Sequence, residues 1–215
     1  MEIIKLYDSG MDYAIQRASE VLSKGGIIAY PTETIYGLGA LYNLQKAIKR
    51  LLKLKGRGEE KGIILIAGSI DFLRLVVEEI PQELLGLIKE FWPGPLTILF
   101  KARGNLNNLI TGSTGKVAVR VPGESFALEF LKRTGFIISS TSANPSGKPP
   151  AEDVPAILKY FPEGIDLLID GGRLTGMPST IIDVTDKKIK VIREGAVSIE
   201  KLKEIASQKG LKIET

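Results

Sequence analysis

The chain has 215 residues, 29 basic and 25 acidic for a net charge of +4, and contains neither cysteine nor histidine. This excludes disulfides, a Cys nucleophile, a Ser–His pair and the usual zinc sites, and leaves Lys, Arg, carboxylates, hydroxyls, amides and backbone groups to carry any chemistry. A mild basic excess suits polyanionic ligands without demanding nucleic acid, and the length suits one domain over 1–215.

Met1–Leu6 lacks the basic start and long apolar core of a signal peptide. No apolar run approaches the roughly 18 residues of a membrane helix, so a cytoplasmic chain with no membrane partner is expected. Short runs rich in Ile, Leu and Val then alternate with amphipathic stretches. A strand is predicted at Ile3–Leu6, a helix at Asp12–Ser23 and a strand at Gly26–Tyr30. Pro31–Gly39 reads as a strand-to-helix connection in which Gly37 and Gly39 let the backbone approach a ligand closely. It is no dinucleotide fingerprint, because Tyr42 stands where the third glycine belongs.

A helix at Leu44–Leu54 leads into Lys53, Lys55 and Arg57, interleaved with Gly56 and Gly58. That run suits either a phosphate clamp or a solvated helix end interacting with the helix dipole. Next come a strand at Ile63–Ala67, helices at Ile70–Val77 and Gln82–Phe91, and a strand at Leu96–Lys101. Gly112–Lys116 fails as a Walker A loop, since Val117 follows the lysine and Ile110 replaces the first glycine. In the strand Val117–Val121, Arg120 follows an apolar run, where a guanidinium needs an anion. A ligand carboxylate, or Glu124 of the chain itself, can supply one.

After a helix at Ser125–Thr134, the strand Phe136–Ser139 is expected to run out into a loop, Ser139–Gly147. Strand ends of open α/β sheets are where ligands bind, although Ser, Thr and Asn also favour turns. If the backbone stays extended, Ser142 and Asn144 share a face, and Asn144 carries little packing. A helix at Val154–Tyr160 capped by Asp153 follows, with strands at Asp166–Ile169, Thr180–Val184 and Ile189–Arg193. Gly171–Arg173 and Pro178–Thr180 form polar loops, Asp186–Lys188 reads as a hairpin turn, and Ser198 caps a last helix, Ile199–Gln208. The pattern specifies an α/β protein with a mixed sheet, antiparallel near the C-terminus.

Thr32–Glu33–Thr34, Tyr36–Gly37–Leu38–Gly39, Lys55–Gly56–Arg57, Trp92–Thr97, Val119–Pro122, Ser140–Asn144 and Pro178–Thr180 occur in an order that resembles the YrdC-like family of threonylcarbamoyl-AMP synthases, from about residue 10 to 195. Gly58 and Lys61–Gly62 stand where many members carry a Pro and an Asn-Pro pair, the Lys61–Gly62 form resembles the short, bacterial single-domain branch, and a histidine that some members place near Ile66 is absent. The resemblance implies an open, twisted α/β sheet with flanking helices and a basic concave face. It implies that L-threonine, bicarbonate or CO2, and ATP give threonylcarbamoyl-adenylate and pyrophosphate, the first step toward threonylcarbamoyladenosine in tRNA. It assigns catalysis to Lys55, Arg57, Ser142 and Asn144. ATP falls to these four with Lys116 and Arg193, and threonine to Thr34, Arg120, Ser140 and Thr180. Mg2+ is expected with ATP, held by no protein metal site, and the partners are tRNA and downstream threonylcarbamoyl-transferase proteins. The alternatives are a non-catalytic module binding tRNA or double-stranded RNA, and a paralogue forming carbamoyl-adenylate.

Overall fold

A computed structural model of the chain describes residues 1–186 and 188–214. The strands are β1 (Glu2–Lys5), β2 (Ile28–Pro31), β3 (Tyr36–Gly39), β4 (Ile64–Ile66), β5 (Leu96–Lys101), β6 (Lys116–Arg120), β7 (Ile138–Ser142), β8 (Leu167–Asp170), β9 (Thr180–Asp183), β10 (Ile189–Arg193) and β11 (Ile213–Glu214). The helices are α1 (Leu6–Ser9), α2 (Met11–Ser23), α3 (Gln45–Lys55), α4 (Ile70–Leu73), α5 (Leu85–Phe91), α6 (Asn108–Thr111), α7 (Phe126–Thr134), α8 (Val154–Tyr160) and α9 (Ile199–Gln208), with a 3₁₀ turn at Gln82–Leu84.

One 11-stranded sheet runs in the order β1-β8-β2-β3-β7-β4-β6-β5-β9-β10-β11. Parallel pairs (β4 with β6, β5 with β9) mix with antiparallel ones (β2 with β3, β5 with β6, β9 with β10). On one face, α3, α5, α8 and α9 bury Ile48, Leu51, Leu87, Ile88, Ile157 and Leu202 against Leu65, Ile98, Val117 and Val119. On the other, α2 and α7 bury Ala14, Leu22, Phe126 and Phe130 against Ile28, Tyr30, Ile138 and Ile169. Ile66 closes that second cluster, and beyond it the sheet face carries polar and charged side chains. Side-chain caps fix helix starts as the sequence suggests: Asp153 accepts from Ala156 N at 2.9 Å and Ser198 from Lys201 N at 3.2 Å.

Four expectations are corrected. Tyr36–Gly39, read as a connection, is a strand: its two glycines weaken the β signal, yet it pairs with β2 and β7. The strand at Phe136–Ser139 begins at Ile138 and continues to Ser142, because β3 and β4 pair with it on both sides and override the turn preference of its hydroxyl residues. The helix at Ile70–Val77 stops at Leu73, and Val77 bridges to Ala102. Leu6 starts α1 rather than ending β1. The hairpin of β9 and β10 is present, while Lys187 of its expected turn lies outside the described residues.

Candidate active site

Alternating side chains on the uncovered face surround a cavity of about 370 Å³. Since successive strand residues point to opposite faces, β7 contributes Ser140 and Ser142, β4 Ile64 and Ile66, β6 Lys116, Ala118 and Arg120, and β5 Thr97 and Leu99. Their neighbours Val117, Val119, Leu96 and Ile98 go to the core. Arg57, Lys116, Arg120 and Arg193 all line this cavity, and among the described residues no carboxylate does.

Each cation is anchored. Left-handed Gly56 (φ 60°) ends α3 and turns Arg57 inward. Its Nη2 donates to Gly62 O at 2.6 Å, leaving Nη1 without a partner among the described residues. Arg193 Nη2 donates to Ser179 O at 2.7 Å. Burial holds both guanidiniums below their usual value; Glu60 opposes this at Arg57, and Arg120 reinforces it at Arg193. Lys116 Nζ donates to Asp183 Oδ2 at 2.6 Å. Burial pushes the Asp183 carboxyl up, but Lys116 and Thr185 outweigh it and leave it below the ordinary carboxylate range. Arg120 is 7% exposed; Nε donates to Gly94 O at 3.0 Å and Nη2 to Glu33, while both Nη atoms lie 3.4 Å from Thr34 Oγ1. The acid beside Arg120 is thus Glu33, not Glu124, because the β2–β3 turn folds over the end of β6.

The hydroxyls are equally organised. Thr32 Oγ1 lies 2.9 Å from Thr34 Oγ1 and donates to Ile35 O at 2.6 Å, closing the β2–β3 turn. Thr97 and Ser179 hydroxyls meet at 2.8 Å. Tyr36 donates to Gly172 O at 2.7 Å and accepts from Gly171 N at 3.0 Å, and burial pushes its phenol up to about 12.

Seven residues expected at the site line the cavity: Thr34, Arg57, Lys116, Arg120, Ser140, Ser142 and Arg193. Three do not. Lys55 is 3% exposed, and its Nζ donates to Ser142 O and to Asn144 O (2.7 Å). Its own carbonyl accepts from Ser146 N at 2.9 Å, so α3 is stitched twice to the segment after β7. Burial, then the charge of Arg57, lowers the Lys55 ammonium to about 8. Asn144 turns inward as well: its Nδ2 donates to Pro145 O (2.9 Å) and Lys148 O (2.7 Å). A 2.9 Å bond from Asn144 N to Ser142 O bends the backbone, so the shared face expected for Ser142 and Asn144 is lost. Thr180 is fully buried; its hydroxyl donates to Val197 O and accepts from Gly195 N (2.9 Å) and Val197 N (3.0 Å). Strand alternation explains this, since Ser179 and Ile181 on either side face the cavity.

The sequence reading missed Thr32, Tyr36, Thr97, Thr111, Thr114 and Ser179 in the cavity wall, and Glu33 beside it. Thr97 was legible as the polar member of an alternating strand; Thr111 and Thr114 depend on the short α6 and the turn after it.

A family model described as telomere recombination (Sua5/YciO/YrdC) matches residues 20–195. The chain is 34% identical over 207 residues to a threonylcarbamoyl-AMP synthase of Pyrococcus abyssi, covering 96% of this chain and 61% of that protein. It is 38% identical over 171 residues to a threonylcarbamoyl-AMP synthase of Hahella chejuensis, covering 79% of this chain and 92% of the relative. The crystal structure of P. abyssi Sua5 complexed with L-threonine superposes with a TM-score of 0.90 at 32% identity, over 99% of this chain and 62% of that one. The chain thus spans about three fifths of the P. abyssi relatives and nine tenths of the Hahella one.

Proposed function

This chain belongs to the Sua5/YciO/YrdC family, and on that premise we propose that it is a threonylcarbamoyl-AMP synthase, joining L-threonine, bicarbonate or CO2, and ATP with release of pyrophosphate. One observation carries the reading: four cationic side chains and no carboxylate of the described residues line a cavity walled otherwise by hydroxyls and aliphatics. Lys116 and Arg120 already pair with Asp183 and Glu33, so the charge that calls for an anion is that of Arg57 and Arg193, whose guanidiniums burial disfavours. A triphosphate is such an anion, and Arg57 and Arg193 each have N–H groups left to meet it.

The chemistry needs positioning and charge stabilisation more than a strong base. The threonine amine adds to CO2 to give a carbamate and release a proton. A carbamate oxygen then attacks the α-phosphorus of ATP, the bond to the bridging oxygen breaks, and pyrophosphate leaves. Arg57, Lys116 and Arg193 hold the phosphates, with Ser142 at the nucleotide. Arg120, fixed by Glu33 and Gly94, presents its fork to the threonine carboxylate beside Thr34 and Ser140. Lys55 and Asn144 act from behind, holding the Ser142 segment in place.

Magnesium enters as the companion of the triphosphate. Among the described residues no group of three or more Asp, Glu, His or Cys is arranged to hold a resident ion. The product, a mixed anhydride of a carbamate and AMP, is activated for transfer to a nucleoside amine, which places tRNA and a transferase downstream. No described helix is long and apolar enough to cross a membrane. The test is pyrophosphate release that requires threonine, bicarbonate and ATP together, with the adenylate identified by mass spectrometry. RNA binding without such turnover refutes the reading.

A further inference from the structure

The Tyr36–Gly37–Leu38–Gly39 motif has no direct role in the reaction as derived, yet it fixes the geometry of a neighbour. In the β2–β3 register Tyr30 stands opposite Gly37, and Gly37 in turn faces Ser142 on β7. A Cβ on Gly37 would lie 2.9 Å from Tyr30 Cζ and 3.0 Å from its Oη; one on Gly39 would lie 2.9 Å from Tyr30 Cε1. The two glycines therefore clear a path along which the Tyr30 ring crosses β3 toward β7. Its hydroxyl ends 2.9 Å from Ser140 Oγ, a cavity-lining atom.

Tyr30 is 1% exposed, and among the described residues Ser140 Oγ is the one acceptor its hydroxyl reaches. A buried phenol proton needs an acceptor, so Tyr30 donates and Ser140 accepts. Burial also pushes the Tyr30 phenol up, which keeps that proton in place. A serine hydroxyl has one proton, and with Tyr30 occupying a lone pair that proton is free for the cavity.

We propose that Tyr30 is a positioning residue that sets Ser140 as a hydrogen-bond donor toward an acceptor oxygen of the bound amino acid, its carboxylate or hydroxyl, and not toward its ammonium. The inference rests on the synthase reading above. It assigns Gly37 a purpose, since a side chain there displaces the ring and releases Ser140, whereas at Gly39 a Cβ meets the Ser139 carbonyl at 2.6 Å before it meets the ring.

The test is a double-mutant cycle of Tyr30→Phe and Ser140→Ala, with threonine KM, ATP KM, kcat and Tm measured for all four proteins. Phe keeps the ring over both glycines and removes the hydroxyl. The expected result is a roughly three- to tenfold rise in threonine KM, the size of one hydrogen bond, with ATP KM unchanged and kcat nearly so. In the Ser140→Ala background, Tyr30→Phe then adds nothing to KM. Equal effects in both backgrounds, or a fall in Tm with threonine KM unchanged, overturn the proposal in favour of a packing role. A wild-type protein that consumes no threonine overturns the synthase reading itself, and this inference with it, on the wild-type trace alone.

Discussion

Replacing Lys55 by Met separates two roles for this lysine, ligand of the triphosphate and clamp on the segment after β7. The methionine keeps the aliphatic volume and deletes the ammonium that donates to Ser142 O and Asn144 O. Two bonds from a charged donor amount to about 3–6 kcal/mol. Against this stands the cost of burying the charge: an amine held at about 8 instead of 10.5 corresponds to about 3 kcal/mol at roughly 1.36 kcal/mol per pH unit. The difference, with two buried carbonyls left without their donor, is a net loss of about 2 kcal/mol. In a chain of this length that lowers Tm by about 4–8 °C. Circular-dichroism melts at pH 7 read the stability, and pyrophosphate release well below the transition reads ATP KM. The clamp predicts a lower Tm with an ATP KM raised only a few-fold, through the displaced Ser142. An unchanged Tm beside a large rise in ATP KM refutes the clamp and returns the ammonium to the triphosphate.

The same lysine gives a pH signature. Its folded value lies below its unfolded one, so between about 8 and 10.5 the unfolded chain binds more protons, and this group's contribution to stability rises with pH. The gap in unfolding free energy between wild type and Lys55→Met, measured by urea titration, should therefore widen from pH 7.5 to pH 10; a constant gap contradicts the burial argument. Arg57→Ala should raise ATP KM roughly tenfold or more, with Arg57→Lys restoring part of it, since a point charge replaces a planar fork. Arg120→Ala leaves Glu33 without its cation in a largely buried site and should lower Tm. The informative variant is Arg120→Lys, which should lose threonine affinity while keeping most of the stability. Wild-type enzyme should prefer threonine clearly over valine and less strongly over serine, because hydroxyls left unpaired by valine cost binding; equal use of valine removes the hydroxyl contacts from the site. Thr180→Val should lower Tm and leave threonine KM unchanged, as its hydroxyl serves only the 195–197 loop.

Much of this was legible in the residue order. Apolar periodicity located β5, β10, α8 and α9 at their observed bounds: β5 is largely buried, α8 and α9 carry side-chain caps at Asp153 and Ser198, and β10 follows a turn signal although most of it is exposed. β3 was hidden since two of its four residues are glycines, which weaken the β signal, although Tyr36 and Leu38 between them are fully buried in the core. Of the site, Arg57 was readable as a cation among flexible glycines and Arg120 as a guanidinium after an apolar run, while Lys116 and Arg193 came from the resemblance. Lys55 and Arg57 read alike in sequence, yet the turn at Gly56 sends one into the protein and the other into the cavity. Thr180, which the resemblance gives to threonine, faces away from the cavity because one residue of strand register decides the face, and register is set by pairing with β5. Glu33 as partner of Arg120 joins residues 87 positions apart and depends on tertiary closure of the β2–β3 turn.

The measurement that bears most directly on the synthase reading is mass spectrometry of the product formed from threonine, isotopically labelled bicarbonate and ATP. The account predicts one adenylate carrying the threonine, the labelled carbonyl and AMP, formed with one equivalent of pyrophosphate and absent when any of the three substrates is withheld. Pyrophosphate release that proceeds without threonine, or a product lacking the label, would contradict it.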